Sequence, residues 1–556
     1  MKIFKGIGGA PGINQGVIML FQKINHTSDK NISFDDAINA ALNKISFLHD
    51  KALAELGDDN AKIFAAYKML LQDNALIQPI KALINDGIAP DAAVLKITEQ
   101  MSNILSSKQN EYMRQRADDI RYIGQLLTDA LHGGIHEINM PENEDKIIVV
   151  AKELTPVDTM QFDSKRLAGL VTEHGGITSH TVILAKSLGI PAIVGADNVL
   201  QCKDGDVGFI DGYNGEFVVN ADNETQTRYK EKISEENRFI KEIEKYKKEE
   251  TYTKDGTRIL VSMNIGSPSD LNNTDDLQYD GIGLFRSEFL YSSTSLKPSL
   301  KEQKDAYHKV IEDVYPCPVT IRTIDVGGDK QIEYLNMKKE ENPFLGNRGI
   351  RLCIQNPDIF KEQLEAIITA AHDKSVKIML PMITSLEEIE KSKKMIAEIQ
   401  KNTCSNGKVS LGIMIETPAS AIMAEELAKH CDFFSIGTND LVQYITAADR
   451  GNSDVEHIYN PFHPAVIRAL KYTICAGERN GIEVSVCGDL AANTNFTTLL
   501  LGLGLKKFSV PAPMIARIKH KISTTDLKHA HYIAEKVLKS ERENEIYSIL
   551  INDKQL

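Results

Sequence analysis

The sequence is poor in cysteine and has no long apolar run, and both deficits exclude classes of protein. Its seven cysteines are odd in number and none stands in a Cys-x-x-Cys pair, which argues against a disulfide framework and a structural zinc site. No stretch approaches the ~20 apolar residues of a membrane span. The N-terminal segment MKIFKGIGGAPGINQGVIML is interrupted by glycines and lacks the apolar core of a secretory signal. We therefore expect a cytoplasmic protein without a membrane anchor.

Positive charge is also in deficit. The chain has 64 Lys and Arg against 77 Asp and Glu, a formal net charge of −13, which argues against broad binding to nucleic acid or to anionic membranes. The rest of the composition, 42% hydrophobic and 25% charged, is typical of a folded globular protein. A length of 556 residues suits two or three domains.

Hydrophobic patterning divides the first half of the chain into stretches of different character. Residues 34–133 place apolar side chains at helical spacing and contain few Gly or Pro, which predicts helices. Residues 1–21 and 145–221 read as short strands and turns, so we expect a mixed α/β domain with residues 22–144 inserted as a helical subdomain. The charged segment 222–250 predicts an exposed helix that connects two domains.

Residues 251–556 alternate between strand-like apolar runs and helical segments. Eight such runs over roughly 300 residues match the usual size of an eight-stranded β/α barrel. We therefore expect an α/β multidomain protein that ends in a (β/α)8 TIM barrel. The predicted strands are RILVSMNIG, GIGLFRSEF, VTIRTIDVGG, VKIMLPMI, LGIMIETPA, FFSIGTND, EVSVCGDLA and KFSVPA.

The segment EHGGITSHTVILAKSLGIPAIVG, residues 173–195, raises the question of what His180 does. The apolar spacing after this histidine predicts a helix over residues 180–188, and the two glycines before it let a ligand approach the backbone. A helix N-terminus suits phosphate, and a neutral imidazole is a competent nucleophile. The local pattern fits two alternatives: a histidine that accepts a phosphoryl group, or a packed histidine in a turn.

Polar side chains gather at the C-terminal ends of the predicted barrel strands, where barrel enzymes build their active sites. Arginines are bidentate donors for phosphate or carboxylate, and carboxylates are oxygen ligands that Mg²⁺ takes. The set suits a small, multiply charged anion with a divalent metal, although each member alone could instead be an ion pair or a packed thiol that stabilises the barrel. Its members are Arg286, Glu288, Arg322, Asp325, Lys330, Arg348, Arg351, Glu416, Asn439, Asp440, Arg450 and Cys487.

Taken in order, these motifs resemble the Enzyme I family, the phosphoenolpyruvate–protein phosphotransferases of the bacterial sugar phosphotransferase system. The resemblance covers essentially the full length of the chain. The histidine segment resembles the family's phosphohistidine signature, and IFAAYKMLLQD and YMRQRADDIRYIG resemble the helical subdomain that docks the carrier protein HPr. Seven further segments resemble the family's barrel motifs, in the same order: GLFRSEFLY, IRTIDVGGDK, ENPFLGNRGIR, IMIETPA, FFSIGTNDLVQY, DRGN and VCGDLA.

The resemblance implies a role for each candidate residue. His180 would attack phosphoenolpyruvate through Nε2 and become the phosphohistidine, and Cys487 would protonate enolpyruvate to give pyruvate. Glu416 and Asp440 would bind Mg²⁺. Phosphoenolpyruvate would be bound by Arg286, Arg322, Asn439, Asp440 and Arg450.

The resemblance also implies an organisation. Residues 1–21 and 145–221 would form the swivelling phosphohistidine domain, with residues 22–144 as the inserted HPr-binding subdomain. Residues 222–250 would be the helical linker and the hinge of a large domain rotation. Residues 251–556 would form the barrel that binds phosphoenolpyruvate and pairs in a homodimer. The phosphoryl group would pass from His180 to a histidine of HPr, the first step of sugar uptake by this system.

Four positions depart from the family pattern. Ile177 stands where the family usually has arginine, and Tyr67 where histidine is common. These two departures put the rate and the affinity for the carrier in question rather than the type of reaction. Asn347 stands where tryptophan is common, and Asp489 replaces the usual glutamate after Cys-Gly.

Two other functions stay open on the sequence alone. One is a regulatory paralogue that phosphorylates a different HPr-like carrier. The other, which the sequence favours less, is a dikinase-type enzyme of phosphoenolpyruvate and pyruvate. Such an enzyme needs a nucleotide-binding domain of several hundred residues, and the chain contains no Gly-x-x-x-x-Gly-Lys-Ser/Thr loop.

Overall fold

The computed structural model divides into two compact units, Met1–Lys241 and Glu242–Leu556. No helix among the residues it describes is both long enough and apolar enough to cross a membrane. Those residues are 1–21, 32–56, 58–106, 111–133, 140–141, 144, 146–176, 180–272, 274–292, 297–328, 332–335, 337–338, 340–403, 405, 407–450, 452 and 455–553.

The first unit is built on a mixed sheet with the strand order β1-β8-β7-β3-β4-β5-β6-β2. Strands β3, β4, β5 and β6 pair in parallel, and the flanking pairs are antiparallel. The central strands β4 and β5 are buried along their whole length, as expected for strands covered on both faces. The strands are β1 (Lys2–Lys5), β2 (Ile7–Ala10), β3 (Ile13–Phe21), β4 (Ile147–Ala151), β5 (Leu167–Thr172), β6 (Ala192–Val194), β7 (Val207–Asp211) and β8 (Glu216–Val219).

Helices α1 to α5 enter the chain between β3 and β4, where the sequence predicts a helical stretch. Their apolar faces form a buried cluster of their own, which also takes in Val157 and Met160 of α6 and Leu184 of α7. The insertion therefore packs on the helix that begins at His180. The helices of this region are α1 (Phe34–Leu56), α2 (Asp58–Leu71), α3 (Asn74–Asn85), α4 (Pro90–Ser106), α5 (Glu111–Leu131), α6 (Pro156–Gln161), α7 (His180–Leu188) and α8 (Asn223–Glu244), the last of which contains the division between the two units.

The second unit is a closed barrel of parallel strands that runs from β9 to β16, and β16 pairs with β9 to complete it. Each of the predicted strand runs coincides with one of these strands, although β13 begins two residues before its predicted run, at Val409. The prediction of a TIM barrel is therefore confirmed. The strands are β9 (Leu260–Ile265), β10 (Ile282–Arg286), β11 (Val319–Arg322), β12 (Val376–Leu380), β13 (Val409–Ile415), β14 (Phe433–Gly437), β15 (Glu483–Cys487) and β16 (Lys507–Pro511).

The barrel helices bury their apolar stripes against the strands in one large core. These helices are α9 (Glu288–Ser292), α10 (Leu300–Val314), α11 (Ile350–Gln355), α12 (Pro357–Ala371), α13 (Leu386–Thr403), α14 (Pro418–Ile422), α15 (Ala424–Leu427), α16 (Thr438–Thr446), α17 (Pro464–Arg479), α18 (Asp489–Ala492), α19 (Thr494–Leu503), α20 (Ile515–Thr524), α21 (Leu527–Lys539) and α22 (Glu543–Ile551).

A charged triad closes the N-terminal end of the barrel, opposite the end where the candidate site lies. The Glu483 carboxylate accepts from Nζ of Lys377 at 2.8 Å and from Nζ of Lys507 at 3.0 Å. Nζ of Lys377 also lies 4.9 Å from the ring centroid of Phe433. Polar residues at this face of a TIM barrel stabilise the fold rather than take part in chemistry.

Candidate functional site

A buried arginine stands at the C-terminal end of β11. Nη2 of Arg322 lies 3.0 Å from Oε1 of Glu288, and Nη1 lies 3.1 Å from Oδ2 of Asp325. Oε1 of Glu288 also accepts from the backbone N–H of Asp325 at 3.0 Å. Burial alone would lower the pKa of Arg322, but the surrounding carboxylates outweigh it and raise this pKa. The guanidinium is therefore fixed in place and fully charged.

Arg348 joins two separate strand ends. Nε and Nη2 of Arg348 donate to Oδ1 and Oδ2 of Asp325, both at 3.0 Å. Nη1 and Nη2 donate to Oδ1 and Oδ2 of Asp440, again at 3.0 Å each. The sequence predicts that Arg348 belongs to the polar set but assigns it no role. No local signal reveals these partners, because Asp440 lies 92 residues further along the chain.

Glu416 follows the last residue of β13 and is 1% exposed. Its Oε1 accepts from the backbone N–H of Met382 at 2.6 Å. Burial raises the pKa of Glu416 to about 8, with a further contribution from the charges of Asp440 and Asp325, against the opposing effect of the two buried arginines. A cation bound beside a buried carboxylate that has other carboxylates nearby stabilises the ionised form of that carboxylate.

The donor set fits a hard divalent metal that keeps other ligands. Among the residues described, no group of three or more His, Cys, Asp or Glu side chains could hold a metal by itself. Mg²⁺, however, is often bound through one or two carboxylates together with waters and substrate oxygens. Such a carboxylate pair is supplied by Glu416, directly after β13, and Asp440, in the first turn of the helix α16 that follows the adjacent strand β14.

Cys487 ends β15 with its side chain inside the barrel, and the residue is 2% exposed. It is a free thiol, like the other five cysteines that the structure describes. Burial raises the pKa of Cys487, while a hydrogen bond from Ser435 and the charges of Arg322 and Arg286 act in the opposite direction. The thiol therefore stays protonated at neutral pH, and the structure brings Arg286, Arg322 and Cys487 within electrostatic reach of one another.

Asn439 and Arg450 lie on the same side of the barrel. Oδ1 of Asn439 accepts from the backbone N–H of Asp489 at 2.9 Å, and its backbone carbonyl accepts from the Tyr459 hydroxyl at 3.3 Å. Burial raises the pKa of Tyr459 to about 12, and the charge of Arg450 opposes this shift, which places Arg450 near Tyr459. The side chain of Arg450 is exposed.

Gly488 fixes the turn that follows the strand of Cys487. Its φ is +89°, a value that side-chain-bearing residues rarely adopt. A Cβ at this position would stand 2.6 Å from Oγ1 of Thr438 and 2.8 Å from Oδ1 of Asn439. Only glycine lets this turn pass so close to Asn439.

The predicted helix over residues 180–188 is confirmed, and it begins at His180. The side chain of His180 lies outside the described residues, as do residues 177–179 with Ile177, and Lys330 in the barrel. The first turn of the helix is held to the loop before α6, because Oγ1 of Thr181 donates to the carbonyl of Leu154 at 3.0 Å.

Tyr67, a departure from the family pattern, is part of the helical core. Only 2% of its surface is exposed, its hydroxyl donates to Oδ1 of Asp119 at 3.1 Å, and its ring centroid lies 5.1 Å from that of Tyr122. Tyr67 therefore offers no surface to a docking partner. Asn347, another departure, donates through Nδ2 to Oε1 of Gln355 at 2.9 Å at the edge of the barrel site.

Comparison with protein families gives three matches in sequence order. Residues 5–116 match the family described as "PEP-utilising enzyme, N-terminal", and residues 143–215 match "PEP-utilising enzyme, mobile domain". Residues 240–527 match "PEP-utilising enzyme, PEP-binding domain". The candidate site in the barrel lies wholly within the last of these ranges.

Two relatives that match this chain over almost its whole length have the same name. The phosphoenolpyruvate-protein phosphotransferase of Staphylococcus aureus strain MRSA252 is 36% identical over 568 residues and covers 99% of both chains. The phosphoenolpyruvate-protein phosphotransferase of Bacillus subtilis strain 168 is 36% identical over 566 residues, again with 99% of both chains covered. A solution structure of an Enzyme I protein is 34% identical and covers 42% of this chain and 99% of that one, with a TM-score of 0.37.

Proposed function

Because the chain belongs to the phosphoenolpyruvate-protein phosphotransferase family and is an enzyme of phosphoenolpyruvate-dependent phosphoryl transfer, we propose His180 as its phosphoryl acceptor and HPr as its carrier partner. The phosphoryl group moves from phosphoenolpyruvate to His180 and then to a histidine of HPr, with release of pyruvate. The observation that carries the proposal is the pair of buried, charged arginines beside Glu416 and Asp440 at one end of the barrel. Such an array suits a small anion of high charge.

Phosphoenolpyruvate carries both a phosphate and a carboxylate, so its binding calls for several fixed cations. In this proposal Arg286, Arg322 and Arg450 bind its anionic groups. Asn439 and Asp440 complete the pocket on the β14 side. Arg322 is already held by Glu288 and Asp325, so little side-chain entropy is lost when the substrate binds.

Members of this family use a divalent metal, and we propose that here it is Mg²⁺, held by Glu416 and Asp440. When bound, the metal supplies neutralisation of charge on the phosphoryl oxygens. The buried position of Glu416 keeps water away from its carboxylate, which strengthens every electrostatic interaction at this point.

The chemistry needs one nucleophile and one acid. Nε2 of His180 attacks the phosphorus, and the bond between phosphorus and the enol oxygen breaks, which leaves the enolate of pyruvate. The Sγ–H of Cys487 gives its proton to the methylene carbon, and the resulting thiolate regains a proton from water. A thiol that burial keeps protonated is suited to this donor role.

The proposed function also assigns a role to each domain. HPr docks on the helical subdomain, residues 22–144, which is inserted in the phosphohistidine domain made of residues 1–21 and 145–221. The linker, residues 222–250, carries the hinge that lets His180 serve both sites in turn. Residues 251–556 pair in a homodimer, and the protein works in the cytoplasm.

The test is a labelling experiment on the full chain. The wild type, His180→Ala and the matched control His174→Ala are each incubated with phosphoenolpyruvate labelled on phosphorus, with and without Mg²⁺. We expect acid-labile label on the wild type and on the control only, dependent on Mg²⁺, and chased from the protein by HPr. Label on His180→Ala would overturn the assignment of the acceptor. Label that requires ATP would indicate a dikinase, and label that HPr does not remove would indicate a different carrier.

A further inference from the structure

The carboxylate of Asp440 is fully engaged by an arginine. Each of its two oxygens accepts a hydrogen bond from Arg348 at 3.0 Å, through Nη1 and Nη2. Both residues are buried. This carboxylate is also one of the two that we assign to the divalent metal. The Asp440 carboxylate can therefore pair with either of two cations, the Arg348 guanidinium or the divalent metal.

We propose that Arg348 is an internal counter-ion that competes with the divalent metal for Asp440, so that the metal binds only when Arg348 releases this carboxylate. The inference rests on the proposed function, because it takes Asp440 as a metal ligand. Arg348 is then a positioning residue that sets the metal affinity of the substrate-free enzyme.

Arg348 can release Asp440 without losing its own place. Its Nε and Nη2 remain bonded to the two oxygens of Asp325, in a bidentate pair that does not involve Asp440. Nη1 also lies 3.4 Å from the Tyr444 hydroxyl, and the ring centroid of Phe344 lies 6.0 Å from the guanidinium carbon. The guanidinium thus keeps its charge, its plane and a buried partner after the exchange.

The metal-free cluster needs such a counter-ion. Arg348 bonds to both Asp325 and Asp440, and Glu416 follows β13, the strand that pairs with β14. Three carboxyl groups therefore lie at one end of the barrel. Without Arg348 at Asp440, the repulsion between these groups would oppose folding. The arrangement therefore stabilises the metal-free chain and weakens its hold on the metal by the same interaction. By thermodynamic linkage, any anion that takes the released donors of Arg348 raises the affinity for the metal.

The test measures metal binding directly, on the full chain and without substrate. Mn²⁺ is the probe, because its free form gives an electron paramagnetic resonance signal that disappears on binding. The proteins are the wild type, Arg348→Met, Arg348→Lys and the matched control Arg468→Met, whose wild-type guanidinium donates to the carbonyl of Ser540. We expect the Mn²⁺ Kd to fall about tenfold in Arg348→Met, to fall less in Arg348→Lys, and to stay unchanged in the control.

Further variants separate the two proposals. Thermal unfolding identifies the variants that fold. If Arg348→Met does not fold, the Mn²⁺ Kd of Arg348→Lys tests the competition instead, because lysine keeps the charge and loses the bidentate geometry. Asp440→Asn should abolish tight Mn²⁺ binding. If it does so while both Arg348 variants bind Mn²⁺ as the wild type does or more weakly, the competition is refuted and the proposed function stands. If Asp440→Asn binds Mn²⁺ normally, the metal assignment itself fails, and the competition fails with it.

Discussion

The backbone N–H of Ile324 donates to Oε1 of Gln363 across 3.0 Å, which ties the segment after β11 to helix α12. The same side chain donates through Nε2 to Oγ of Ser287 at 2.9 Å and to the Tyr307 hydroxyl at 3.1 Å. All of these groups are buried. Ser287 stands between two residues of the candidate site, so this amide links the barrel core to the site.

Replacement of this amide should affect both stability and substrate binding. In Gln363→Met the N–H of Ile324 stays buried without its partner, which costs about 1–3 kcal/mol of unfolding free energy. The loosened Ser287 should raise the KM for phosphoenolpyruvate with little change in the Mg²⁺ requirement. Urea denaturation and steady-state kinetics measure these effects. Gln78→Met, at an exposed position of α3, is the control and should cost less than about 0.5 kcal/mol.

Loss of the thiol at the end of β15 should block the second half of the reaction. Cys487→Ala removes the proposed acid, so steady-state pyruvate formation should fall by about 10²- to 10⁴-fold. Pyruvate is measured with a coupled assay. Cys353→Ala removes an equally buried barrel thiol, whose wild-type Sγ points to the carbonyl of Ile324, and should keep most of the activity. Pyruvate formation at the wild-type rate by Cys487→Ala would remove this residue from the mechanism.

Metal dependence should report on Glu416. Glu416→Gln keeps the size of the side chain and removes the carboxylate that would bind the metal, so the Mg²⁺ concentration for half-maximal labelling of the protein should rise at least about tenfold. Titration of the labelling rate with Mg²⁺ measures this concentration. Glu398→Gln, on the exposed surface of α13, is the control and should leave the titration unchanged. The same result for Glu416→Gln would exclude it as a metal ligand.

A single glycine allows the helix of His180 to approach the sheet. A Cβ on Gly9 in β2 would lie 2.5 Å from Cγ2 of Val182, which is stiff because it is β-branched. Gly9→Ala should therefore displace α7 and slow phosphorylation of the protein. In Gly9→Ala combined with Val182→Ala the clash is gone, so the labelling rate should recover. A double variant as slow as the single one would contradict this explanation.

The triad at the other end of the barrel should matter for stability alone. Glu483→Gln leaves Lys507 buried with a weaker partner and should cost about 1–3 kcal/mol near pH 7, with unchanged kcat and KM. Burial alone would raise the pKa of Glu483, but Lys507 and Lys377 lower it below its usual value of 4.5. The carboxylate thus stabilises the fold above that value, and its contribution is lost as the pH falls through the lower pKa of the folded state.

Two urea denaturation series test this triad. The difference between wild type and Glu483→Gln should stay constant from pH 7 down to the usual pKa of 4.5 and shrink as the pH falls below that value. Glu425→Gln removes one partner of an exposed pair with Arg479 and is the control, whose unfolding free energy should differ little from that of the wild type at every pH. A difference between wild type and Glu483→Gln that does not change with pH would show that the charge of Glu483 is not what stabilises the barrel.

The barrel could be predicted from the sequence because its strands are buried on both faces. Such strands are short continuous apolar runs that stand out between helical segments, as FFSIG of β14 does in the barrel. IIVVA of β4 shows the same pattern in the sheet of the first unit. The helix over residues 180–188 could also be predicted, since a glycine follows its last residue and its apolar residues follow a helical period. Burial of apolar side chains thus produces a periodic or continuous apolar pattern that can be recognised in the local sequence.

The pairing inside the candidate site could not be predicted, because ion pairs leave no periodic trace. Arg348 was one of several arginines in a loop, and its bridge between Asp325 and Asp440 emerges only when β11 and β14 close into the barrel. Tyr67 shows the same limit, since its place in the helical core depends on Asp119 and Tyr122 from a distant helix. The hydrogen-bond and ion-pair partners of a buried polar side chain are therefore set only when the complete fold has formed.

Strand β1 has a further consequence for how the protein is made. It pairs with β8, residue Lys2 opposite Val219, so the ribosome must add more than two hundred residues before the first strand finds its neighbour. At typical translation speeds this takes roughly ten to forty seconds. The helices of the insertion, whose contacts are local, can assemble during this interval. The nascent chain can therefore carry a folded helical insertion before the sheet on which this insertion packs is complete.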